Sequence, residues 1–229
     1  MSELIEKEAA LFESWAKLVP EFSEDGIIKE ECYLSSSPRI MLILKEVNNK
    51  YGKAVNLKAF LQKGAGKRKP TWDNVARWLY GIQNLEEEQK WPFLKNRDNL
   101  DNWRSELLPG LCVINLKKSP GVHTARKKEV ISAAESHQKL LQEQFQLYFE
   151  SVTTRPEIII AGGTGSIFMN LVEVSGRSKL KQTSRGISYF TYPPSGVFVK
   201  YVHPAARVKD QFIYYMLIDA LKEIKSLHA

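Results

Sequence analysis

Four short apolar runs punctuate the chain, and each is opened by turn residues. They are Ile40-Met41-Leu42-Ile43-Leu44 after Pro38, Leu111-Cys112-Val113-Ile114-Asn115-Leu116 after Pro109-Gly110, Ile158-Ile159-Ile160-Ala161 after Pro156, and Val197-Phe198-Val199-Lys200-Tyr201-Val202 after Pro194-Ser195-Gly196. The first three barely alternate, which marks strands buried on both faces, as in a parallel sheet. Helical spacing lies around and between them. Leu4, Ile5, Leu11, Phe12, Trp15, Leu18 and Val19 share one face of a helix that Pro20 ends. Trp72–Ile82 reads as a helix capped by Thr71, Lys127–Val152 as one long helix, Ser166–Val174 as a short one, and Asp210–Leu227 as a final amphipathic helix. A hairpin joins Ile187–Thr191 to Val197–Val202. Strands alternating with helices predict an α/β fold. The expected form is a three-layer α/β/α sandwich with a short, mostly parallel four-stranded central sheet. One domain spans residues 1–229, with 1–37 as an N-terminal helical extension and a core at about 38–225.

Sheets of this kind bind ligands beyond the carboxyl ends of their strands, so the residues after the four runs carry the candidate chemistry. Glu46 and Asn48 follow the first run; they can orient or deprotonate a water, or simply cap the next element. Asn115 ends the second run, and its amide offers the donor and acceptor needed to read a nucleobase or similar cyclic amide, unless it only caps the strand. Gly162-Gly163-Thr164-Gly165 turns into a helix start and meets a phosphate or is a plain tight turn. It is neither a Walker loop nor GxGxxG. His203, backed by Pro204, holds an imidazole at a sheet edge, as an electrophile or proton donor, while His137 and His228 sit on predicted helices. No histidine or acid pair has metal-ligand spacing, so no metal is expected. The absence of a G-x-S-x-G elbow argues against an ordinary serine esterase.

The formal charge is +7, which favours a polyanionic partner, although a basic surface can also be inert. Basic residues cluster at Lys63, Lys67, Arg68 and Lys69, at Lys117, Lys118, Arg126, Lys127 and Lys128, and at Lys179, Lys181 and Arg185. These groups fall in predicted loops and helix starts, where phosphate contacts are commonly made. Cys32 and Cys112 stand far apart beside apolar stretches and read as buried small hydrophobes. No apolar run reaches the roughly 18 residues of a membrane span. The acidic start lacks a signal-peptide pattern, so a cytoplasmic monomer without membrane contact is expected.

Taken together, the four edges resemble the uracil-DNA glycosylase superfamily. The resemblance rests on Ile43-Leu44-Lys45-Glu46-Val47-Asn48, Val113-Ile114-Asn115, Ile158-Ile159-Ile160-Ala161-Gly162-Gly163 and Val202-His203-Pro204-Ala205-Ala206-Arg207, and it covers roughly residues 38–225. The stretch Asn115-Leu116-Lys117-Lys118-Ser119-Pro120-Gly121 looks like the corresponding segment of the iron–sulfur, thermophile-type members. The resemblance implies a DNA partner and a nucleotide flipped into a pocket. Glu46 and Asn48 would position water at the sugar C1′, Asn115 would bind the base, and His203 would stabilise charge on the leaving base. Tyr51 and Phe60 are the candidates for an aromatic partner of the base. Lys45, Lys117, Lys118, Ser119, Gly163, Ser166 and Arg207 would contact DNA, with Arg207 at the position of the side chain that plugs the vacated stack. Val47 stands where the family has Pro, Ala205 where it has Ser, and Leu44-Lys45 where it has Gly. The four cluster cysteines are absent, so no cofactor is expected.

The readings that follow are a glycosylase acting on uracil or another damaged base, and a non-catalytic nucleic-acid- or nucleotide-binding member of the same fold. A hydrolase of free nucleotides or nucleosides is a third.

Overall fold

The computed structural model describes residues 2–66, 70–122, 124–171 and 180–227. In chain order the elements are α1 (Glu3–Ala16), β1 (Gly26–Ile27), α2 (Glu30–Ser35), β2 (Ile40–Leu44), α3 (Leu57–Gln62), α4 (Pro70–Gln83), α5 (Trp91–Leu94), α6 (Arg97–Leu107), β3 (Leu111–Asn115), α7 (Lys127–Ser136), α8 (Gln138–Phe149), β4 (Ile158–Gly162), α9 (Gly165–Leu171), β5 (Lys181–Gln182), β6 (Ser188–Tyr192), β7 (Gly196–Tyr201) and α10 (Asp210–Ser226).

The four apolar runs form the four parallel strands at the centre. Every residue of β2, β3 and β4 is buried, as their unbroken hydrophobicity requires. β2 pairs in parallel with β3 on one side and β4 on the other, and β4 pairs in parallel with β7. The sheet is larger than the expected four strands. It has seven, in the order β1-β3-β2-β4-β7-β6-β5, because antiparallel β1 extends one edge and the β5–β6 ribbon the other.

Helices cover both faces, and the alternation of each strand divides the core between them. Ile40, Leu42, Leu44, Leu111, Val113, Ile158 and Ile160 pack with side chains of α3, α4, α6 and α10. Met41, Ile43, Cys112, Ile114, Ile159 and Ala161 pack with those of α1, α7, α8 and α9. Burying one such aliphatic side chain contributes about 1.5–3 kcal/mol, which makes this double-sided sheet the main source of stability.

Three local expectations change. Residues 127–152 are two helices, broken where His137 leaves helical geometry at φ −118° and ψ 26°. Thr71 lies inside α4, which Pro70 opens, a position where its missing N–H costs no helical bond. Residues 1–37 are more than a helical extension, since β1 is a strand of the sheet and Phe12 and Trp15 of α1 join the core. Of the Ser166–Val174 helix, residues 172–174 lie outside the described residues, as do Lys67, Arg68, Lys69, His123, Lys179 and His228.

Candidate functional site

From β2 the chain crosses to β3 on one side, and from β3 to β4 on the other side of β2. The strand order therefore reverses between β2 and β4, the place where sheets of this kind bind ligands past the carboxyl ends of their strands. Lys45, Gly163 and His203 meet there. Gly163 has φ +75°, a backbone state that disfavours side chains. A Cβ on it would lie 3.5 Å from both His203 Cβ and Lys45 Cε, so it separates the imidazole from the lysine stem by little more than contact distance. Two bonds hold the turn: the Gly163 amide donates to the Tyr201 carbonyl at 2.8 Å, and the Thr164 hydroxyl donates to the Ile43 carbonyl at 2.8 Å.

His203 sits in a defined electrostatic state. The Ala205 amide donates to its Nδ1 at 3.0 Å, so Nδ1 is an acceptor and the ring proton resides on Nε2. Burial, and secondarily the charge of Lys45, lower its pKa to about 4. At neutral pH the ring is an uncharged N–H donor, suited to stabilising negative charge that develops on a neighbouring atom.

The loops after β2 and β3 are zipped together beyond the sheet. Leu116 and Lys117 amides donate to the Leu44 and Lys45 carbonyls at 3.0 and 2.9 Å, and the ladder resumes where Gly121 donates to Val47 and Asn49 donates to Gly121, both at 2.8 Å. This extension fixes Glu46. Its side chain is 3% exposed, and Lys117 Nζ donates to Oε2 at 2.5 Å. Gly121 makes room for it, since a Cβ there would fall 1.9 Å from Oε1. Asn48 forms an isolated bridge with Gly121 and is exposed.

The remaining expected site residues divide. Asn115 is 2% exposed. Its amide nitrogens face Asp25 Oδ2, the backbone at 2.7 Å and the side chain at 3.4 Å. At one strand spacing of about 4.8 Å, β3 and β7 stand roughly 14 Å apart. Asn115 and His203 therefore do not share one hydrogen-bonding cluster. Tyr51 is exposed on the loop after β2 beside Lys50, and Phe60 of α3 packs on the core. The structure thus separates the two aromatic candidates, leaving Tyr51 the accessible one. Ser166 and Arg207 are exposed, and Ser119 is half-buried.

Lys118, expected at a DNA surface, is instead sealed. Its Nζ donates to Asp25 Oδ1 and Oδ2 at 2.6 and 2.8 Å and to Gln144 Oε1 at 2.7 Å, 4.7 Å from the Trp15 ring. Burial depresses its pKa, and the Asp25 carboxylate opposes that shift. A side chain satisfied by three buried acceptors has no donor left for phosphate. The same network continues through Gln144 and Tyr148 to Glu8, which also pairs with Lys58 and whose pKa burial raises.

Sequence reading missed Asn74 and Arg77 of α4, which anchor the turn after His203; an Asn and an Arg one helical turn apart on a mostly apolar helix were the available signal. Among the described residues, Lys45, Lys50, Arg207 and Lys209 have no ion-pair partner, so the carboxyl edge carries unneutralised positive charge. A cleft of about 1120 Å³ lies at the opposite edge between Pro38, Ile158, Tyr192 and Leu221. Three of its charged groups are already paired, Lys225 with Glu86 and Glu157 with Arg39, so volume and chemistry point to different ends of the sheet.

No family model and no curated protein matches this chain. Among the described residues, no helix is long and apolar enough to cross a membrane, and no three His, Cys, Asp or Glu side chains are grouped to hold a metal ion.

Proposed function

We propose that the protein is a divergent DNA glycosylase-like hydrolase that cleaves the N-glycosidic bond of uracil or another damaged base. The observation that carries this reading is the neutral His203, held at the carboxyl edge of the sheet with Nδ1 accepting from the Ala205 amide and Nε2–H left as its donor, beside Lys45. Bond cleavage leaves negative charge on the departing base, and a pre-oriented neutral donor with a nearby cation stabilises it without reorganisation. Lys45 and Arg207 supply phosphate contacts, Tyr51 an exposed stacking surface, and Glu46 the acid that orients water.

A second reading, a non-catalytic binder of nucleic acid or nucleotide, is favoured by one feature. The Glu46 carboxylate is engaged by Lys117 and nearly sealed from solvent, which opposes its use on water.

The test is incubation with labelled oligonucleotides carrying uracil, hypoxanthine, xanthine or a mismatch, followed by alkaline cleavage of abasic sites. Base release that falls by about 10²-fold or more in His203→Gln supports the glycosylase. No release on any substrate, with retained salt-dependent binding, supports the binder.

A further inference from the structure

The turn that carries His203 is held from beneath by a side chain on a different element. Asn74, 2% exposed on α4, donates from Nδ2 to the Pro204 carbonyl at 2.8 Å and to Asp210 Oδ1 at 2.9 Å. Its Oδ1 accepts from Arg77 Nη1, which settles which end of the amide is nitrogen. Arg77 is itself fixed, donating from Nε to the Leu94 carbonyl at 3.0 Å and from Nη1 to Asp210 Oδ2 at 3.3 Å, with its guanidinium 5.3 Å from the Trp91 ring. Both amide hydrogens and the amide oxygen of Asn74 are therefore used, and the side chain has one orientation.

We infer that Asn74 is a positioning residue: by holding the Pro204 carbonyl it fixes the His203–Ala206 turn and thereby the tautomer and orientation of the His203 ring. The linkage is short. Pro204 joins the anchored carbonyl directly to His203, and the turn closes through the Ala206 amide on the His203 carbonyl at 2.8 Å and the Ala205 amide on Nδ1 at 3.0 Å. If Pro204 were released, the Ala205 amide would leave Nδ1 and either ring nitrogen could carry the proton. The charged groups around this turn are Lys45 from the end of β2 and the Arg77–Asp210 pair at the junction of α4 and α10. The catalytic value of this arrangement rests on the proposed role of His203, but the positioning itself does not.

The experiment uses the full chain with ¹⁵N-labelled histidine, the His203 signals being assigned with His203→Gln. In the wild type the Nδ1 and Nε2 shifts should report an Nε2–H ring that titrates near 4. In Asn74→Ala the shifts should move towards a tautomer mixture and the titration should rise by about one unit or more as the ring gains solvent. Asn74→Asp keeps an acceptor for Arg77 but cannot donate to Pro204, so it should behave the same way if Asn74→Ala fails to fold. An unchanged tautomer and titration in a cooperatively folded Asn74 variant would overturn the inference, whether or not base release is ever detected. If base release is found, kcat should fall in these variants with KM little changed; a wild type without release would leave the tautomer result standing and count only against the glycosylase reading.

Discussion

Lys117 donates to Glu46 at 2.5 Å across the loops that leave β3 and β2, and both side chains are largely removed from solvent. An ion pair so placed is held less by its own attraction than by the cost of separating it. Lys117→Met should destabilise the protein by about 3 kcal/mol, because it strands the carboxylate. Urea unfolding measures this. The double variant Lys117→Met with Glu46→Gln should recover part of the loss, and additive losses would mean that the pair is not coupled.

The pKa of His203 gives a pH signature with a definite sign. Its folded value of about 4 lies below the ordinary 6.5, so between these values the unfolded chain binds more protons than the native one. Stability should therefore fall as pH drops from about 6.5 to 4, by roughly 3 kcal/mol in all, and this part of the loss should level off below 4. Urea unfolding of wild type and His203→Gln across pH 4–7 isolates it. Parallel curves would show that the ring is not held neutral.

Lys45 contributes to that depression less than burial does. Lys45→Met should raise the His203 pKa above 4 but leave it short of 6.5, as read by the ring nitrogen shifts. The same variant should weaken binding to a labelled oligonucleotide and reduce the slope of log K against log salt by about one.

Lys118 should behave in the opposite way. Lys118→Met leaves Asp25 buried without its cation and should cost about 3–5 kcal/mol in urea unfolding. In the folded fraction at low temperature, its oligonucleotide affinity and salt slope should match the wild type. A reduced slope would mean that Lys118 reaches phosphate after all.

Gly26 tests the network from its other end. Its φ is +101°, and a Cβ would fall 2.3 Å from Glu8 Oε1 and 2.4 Å from the Tyr148 hydroxyl. Gly26→Ala combines backbone strain with a clash against buried polar atoms, and a loss of several kcal/mol is expected in thermal or urea unfolding. A near-neutral result would show that this corner yields.

The central strands were legible because burial on both faces writes an unbroken apolar run. The first, Ile40–Leu44, coincides with β2 residue for residue. Two-residue strands such as β1 and β5 leave no period to read, and the break at His137 follows from a local backbone departure inside an otherwise helical pattern. At the carboxyl edge, Lys45 and Gly163 directly follow strands and His203 lies two residues past one, which is why the sequence could point to them as neighbours. Lys118 was misread because Asp25 and Gln144, which hold it, come from distant parts of the chain. Asn74 was missed because it belongs to a helix interior and acts through another residue's carbonyl.

Strand β1 has a consequence for how the chain is assembled. It is made before its partner: Cys112 of β3 lies 85 residues after Ile27, and the lysine that fills the space beside Asp25 lies 93 residues after that carboxylate. Until then the amino-terminal segment has nowhere to dock, and closing so long a loop is slow. Once β3 is formed, its outer edge is an open template for another chain until β1 docks on it. Fragments beginning near Pro38 should therefore self-associate, because the first thirty residues act as the cap on that edge.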